Sequence, residues 1–62
     1  MISEFAQISE KAQLGINVQV GPFTVIHEDV VIGDNVRIHS NVAIYPGTRI
    51  GNNCEVYPGA VI

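Results

Sequence analysis

An all-β, single-stranded parallel β-helix of about three coils is the fold class this sequence predicts, and three observations predict it. Every sixth residue is a branched aliphatic: Ile2, Ile8, Leu14, Val20, Ile26, Ile32, Ile38, Ile44, Ile50, Val56 and Ile62. Four places after each of the first ten stands a small or β-branched residue: Ala6, Ala12, Val18, Thr24, Val30, Val36, Val42, Thr48, Cys54 and Ala60. Between these two columns Gly, Asn and Pro return at the same spacing. A fixed short period marks a stacked repeat, and six residues in particular mark a parallel β-helix. An α-helix would place its apolar residues 3.6 apart and would not tolerate Gly and Pro this often.

Each hexad reads as one strand and one corner. With the aliphatic residue numbered position 1, positions 5, 6 and 1 alternate inward, outward, inward, as Val36-Arg37-Ile38 and Thr48-Arg49-Ile50 do. This predicts strands at 6–8, 12–14, 18–20 and every sixth residue onward to 60–62. Positions 2 to 4 carry turn chemistry: Gly33-Asp34-Asn35, Tyr45-Pro46-Gly47, Gly51-Asn52-Asn53 and Tyr57-Pro58-Gly59. Hairpins could use the same turns, but three-residue strands are too short for a stable meander, and identical spacing favours winding.

If three hexads close one coil, residues 18 apart stack, and stacked corners should carry similar residues. They do. Asn17, Asn35 and Asn53 form one column and Gly15, Gly33 and Gly51 another, while Pro22 and Pro58 flank Ser40. Asn and Gly tolerate positive φ, which a sharp corner is expected to demand. An Asn column can also hydrogen-bond along the stack. Phe5 is expected over Phe23, and Lys11 over Asp29 as an opposite-charge contact.

The outward residues at position 6 describe three unlike faces. One carries Gln19, Arg37 and Glu55, the second Gln13, Val31 and Arg49. The third carries Gln7, Val25, Ala43 and Val61, with Ser9, His27 and Tyr45 beside them at position 2. An apolar stripe rimmed by polar groups marks an interface, whereas β-branched residues alone would only reflect strand preference. Because the enrichment falls on one face, Val25, His27, Ala43, Tyr45 and Val61 are the expected subunit interface, and a symmetric trimer is the expected closure.

Composition narrows the functions. The 62 residues form one domain, 1–62, with 47% hydrophobic and 15% charged residues, too apolar for a disordered tail. A net charge of −3 with three basic residues argues against a nucleic-acid partner or an anionic membrane surface. No run approaches the roughly 20 apolar residues that insert across a bilayer. Met1-Ile2-Ser3-Glu4 does not resemble a signal peptide, so a cytoplasmic location is expected.

No residue set reads as chemistry. His27 and His39 lie 12 apart, on different faces, so they do not converge on a metal within one chain. His27 is expected to pack at the interface or against Tyr45, although a base role across a subunit seam is conceivable; His39 is expected to pack between Gly21 and Tyr57. Cys54 sits at the inward small position and is expected to be a buried, inert thiol. Glu28-Asp29 reads as a solvated corner, and the glycines recur because corners recur rather than to cradle a phosphate. No catalytic, cofactor-binding or metal-ligating residue is assigned, and no cofactor is expected.

The hexads Ile32-Gly33-Asp34-Asn35-Val36-Arg37 and Ile50-Gly51-Asn52-Asn53-Cys54-Glu55 resemble the unit of hexapeptide-repeat acyltransferases, which reads aliphatic-Gly-x-x-small-x. Met1-Ile2-Ser3 opening directly into repeats, Val20-Gly21-Pro22-Phe23-Thr24-Val25-Ile26-His27, Val31-Ile32-Gly33-Asp34-Asn35 and Tyr57-Pro58-Gly59-Ala60-Val61-Ile62 are similar to the amino-terminal part of the UDP-N-acetylglucosamine O-acyltransferases of lipid A biosynthesis. The resemblance covers essentially the whole chain. It implies left-handed winding, against the right-handed rule for parallel crossovers. It also implies a cytoplasmic homotrimer that moves a 3-hydroxyacyl chain from acyl carrier protein to UDP-N-acetylglucosamine. In that family the histidine base comes from a later coil and a Gln-Asp-Leu-Lys loop enters the substrate site. Neither motif is in this sequence, and His27 and His39 do not match the base. The expectation is therefore an amino-terminal segment that is silent by itself. Competing expectations are a segment of the related lipid A N-acyltransferase, which carries a separate domain before its repeats, or of a γ-type carbonic anhydrase. A repeat module that only trimerises is the non-enzymatic alternative.

Overall fold

The computed structural model describes residues 1–62 and contains nine two-residue strands. They are β1 (Gln7–Ile8), β2 (Gln13–Leu14), β3 (Gln19–Val20), β4 (Val25–Ile26), β5 (Val31–Ile32), β6 (Arg37–Ile38), β7 (Ala43–Ile44), β8 (Arg49–Ile50) and β9 (Glu55–Val56). Each strand holds one outward and one inward residue. The small residue before it, expected within the strand, remains part of the ladder through its carbonyl. Gln7 N–H donates to Thr24 C=O and Gln13 N–H to Val30 C=O, both at 2.9 Å.

Consecutive strands never pair. The three sheets run β1-β4-β7, β2-β5-β8 and β3-β6-β9, all parallel. The registers Gln7↔Val25↔Ala43, Gln13↔Val31↔Arg49 and Gln19↔Arg37↔Glu55 place each residue over the one 18 earlier, so three hexads do close one coil. Bridges Ile2↔Val20 and Ala43↔Val61 extend the stack at both ends.

The inward columns form the core. Val18, Val20, Ile26, Val30, Ile32, Val36, Ile38, Val42, Ile44 and Val56 are buried, and Ala6, Ile8, Ala12, Leu14, Ile50 and Ala60 pack on them. Burial is deepest in the middle coil, which has a neighbour on both sides, and fades toward each end. Cys54 shows the consequence: it occupies an inward position, yet it is exposed because no coil lies over it. The expected buried thiol is corrected on that ground.

The corners divide their labour by position. Positive φ falls at position 4 alone, at Asn17, Phe23, Asp29, Asn35, Asn41, Gly47, Asn53 and Gly59. The position-2 column of Gly15, Gly33 and Gly51 has no such φ and needs glycine, where it does, for another reason. At Gly33 a Cβ would run into Asn52 of the coil above, whose amide N lies 2.9 Å away. That approach lets Asn52 Oδ1 accept the Asp34 N–H, and the matching one at Gly15 lets Asp34 Oδ1 accept the Ile16 N–H, each at 2.8 Å. The expected ladder of position-4 Asn side chains is reduced to one long contact, Asn17 to Asn35 at 3.4 Å. The side-chain ladder runs one residue earlier.

Candidate functional site

Each outer face is a three-strand ladder, and the face of β1, β4 and β7 carries the predicted interface residues. Val25 and Ala43 are adjacent partners on it and are half-buried by the chain itself; Val61 bridges to Ala43 and is exposed. At the corner that follows, the rings of His27 and Tyr45 stack at 5.1 Å with an interplanar angle of 15°. The five residues thus lie together along one edge and face, rising through successive coils. The stack satisfies the packing expectation for His27.

His39 lies on another corner and stacks on Tyr57 at 5.8 Å and 14°. Its Nε2 also meets Glu55 Oε2 at 2.6 Å. The sequence reading missed this pair because it looked only at residues directly above one another. Glu55 stands over Arg37 in the ladder, two residues before His39, and diagonal neighbours of that kind are within reach of long side chains. A diagonal step in the opposite direction corrects the Lys11–Asp29 contact. Asp29 instead takes Arg49 from the coil above, with Nη2 at 2.8 Å from its carboxylate and Nη1 at 2.6 Å from its backbone carbonyl. The Phe5–Phe23 stack is as expected, at 6.0 Å.

No group of three His, Cys, Asp or Glu side chains gathers anywhere in the chain, and no helix is long and apolar enough to cross a membrane. His27 and His39 sit on separate corners, and neither imidazole is hydrogen-bonded to a hydroxyl or thiol that it could activate. What the geometry supplies is a wall with one apolar face.

The family described as bacterial transferase hexapeptide (six repeats) matches residues 11–44 and again 29–62. The chain belongs to that family. Among solved structures, a UDP-N-acetylglucosamine acyltransferase from Campylobacter jejuni superimposes over 100% of this chain with a TM-score of 0.97 and 34% identity. LpxA from Acinetobacter baumannii superimposes over 92% with a TM-score of 0.90 and 37% identity. These likenesses give the coil its hand: it is a left-handed parallel β-helix. The chain spans 25% of the first protein and 22% of the second. No curated protein matches it in sequence.

Proposed function

We propose that this chain is the amino-terminal β-helix of an O-acyltransferase that moves a 3-hydroxyacyl chain from acyl carrier protein to UDP-N-acetylglucosamine in lipid A biosynthesis. In this reading the enzyme is a cytoplasmic homotrimer, and the 62 residues are its scaffold and carry no catalytic group. The observation that carries the proposal is the superposition of every residue on a UDP-N-acetylglucosamine acyltransferase at 34% identity. The subunit seam is assigned to Val25, His27, Ala43, Tyr45 and Val61. Its support is the apolar face of β1, β4 and β7, set beside two faces that carry charged residues.

A segment exchange tests this. The Campylobacter jejuni enzyme with its superimposable residues replaced by this chain is expected to remain trimeric and to acylate UDP-N-acetylglucosamine from 3-hydroxyacyl-acyl carrier protein. The 62-residue chain alone is expected to give no transfer. A folded, trimeric exchange enzyme without activity, or substantial transfer by the isolated chain, overturns the proposal.

A further inference from the structure

The face opposite in character to the seam carries Gln19, Arg37 and Glu55, and at its corner lies an open groove of about 790 Å³. Its concavity follows from the position-2 column, which runs Ser3, Gly21, His39: Gly21 places no side chain between its neighbours. The omission is structural as well, since a Cβ on Gly21 would lie 2.8 Å from the backbone of His39 and Ser40.

Arg37 lines this groove with no hydrogen-bonding or ionic partner for its guanidinium, although Glu55 stands directly over it in the ladder. Glu55 is held instead by His39 Nε2 at 2.6 Å. By contrast Arg49 is held through both terminal nitrogens, by Asp29 and the Thr48 carbonyl. Phe5 also lines the groove, 62% exposed and stacked on Phe23, 66% exposed. Phe23 adopts φ 61, and every other residue at positive φ is Asn, Asp or Gly. An aromatic residue in that region is strained, and nothing in the core calls for it there.

We propose that this groove binds a small molecule that joins an oxyanion, carboxylate or phosphate, to a planar apolar part. Arg37 anchors the oxyanion through two parallel N–H donors. The apolar part lies along the Phe5 ring, with Gln19 and Ser40 as additional polar contacts. Glu4 and Met1 also border the groove, and the Met1 ammonium, which donates to Val18 C=O, offsets the Glu4 charge. The assignment of this groove does not rest on the proposed acyl-transfer reading and stands or falls without it.

Amide NMR of the chain, titrated at constant ionic strength with phenyl phosphate and separately with benzoate, tests the assignment. The expected result is saturable shifts at Gly21, Arg37 and Ser40, with a midpoint of about 1–10 mM for at least one probe. Whichever probe saturates identifies the oxyanion. Arg37→Gln is expected to weaken binding by about tenfold or more with a dispersed spectrum retained, and Arg37→Lys by less, because the charge stays and the fork is lost. Shifts that rise linearly, that sodium chloride reproduces, or that keep their midpoint in both Arg37 variants overturn the proposal.

Discussion

Thr24 is the one buried polar side chain, and its hydroxyl ties two coils together. Oγ1 donates to His39 C=O at 2.7 Å and accepts the Val42 N–H at 3.3 Å. Thr24→Val keeps the shape and removes both bonds, so unfolding in urea should report a loss of about 1–2 kcal/mol. The glycines give a second residue-level contrast. Gly33→Ala would force a Cβ against Asn52 and should cost about 1–3 kcal/mol, whereas Gly51, which has nothing within 4 Å, should accept Ala with little change. Equal costs at the two positions would show that local conformation, not stacking, selects glycine. The hexad made the columns legible but not this distinction, because one letter serves two purposes: freedom of φ at Gly47 and Gly59, and close approach at Gly33.

At the scale of strands and faces, the apolar ladder of β1, β4 and β7 is the feature that assembly would use. Val25→Lys and Ala43→Lys place a charge on it without touching the inward columns. Each should leave the β-sheet circular dichroism intact and shift sedimentation toward the monomer; an unchanged assembly state would remove the assignment of this face. Strand order, register and face membership were legible because the period fixes all three once a coil closes after 18 residues. The two ion pairs were not. His39–Glu55 and Arg49–Asp29 are separated by 16 and 20 residues, one diagonal step either side of the stacking interval, and only side-chain length decides which way each leans. Being exposed, the Arg49–Asp29 pair contributes about 0–1 kcal/mol, so Arg49→Met should move the unfolding midpoint little.

For the molecule as a whole, coverage by a neighbouring coil matters more than residue type. Ile26 and Ile44 are sealed, whereas Ile2 and Ile62, alike in position and chemistry, are each 46% exposed. Cys54 reports on the last coil. In the native 62-residue chain a thiol reagent should modify one cysteine per chain without denaturant, and a requirement for denaturant would mean that the end is covered in solution. The sequence alone showed where Cys54 points but not whether a coil covers it, since burial belongs to the neighbour rather than to the residue. The closure of a coil after three hexads also makes distance along the chain a compass bearing. Six residues swing the outward direction by a third of a revolution, and eighteen restore it. Loss of one hexad between Ile32 and Arg37 would leave the inward columns continuous, yet it would carry Ala43, Tyr45 and Val61 round to a different heading from Val25 and His27. A lineage of such chains can therefore change length freely only in whole revolutions if its seam is to stay in line.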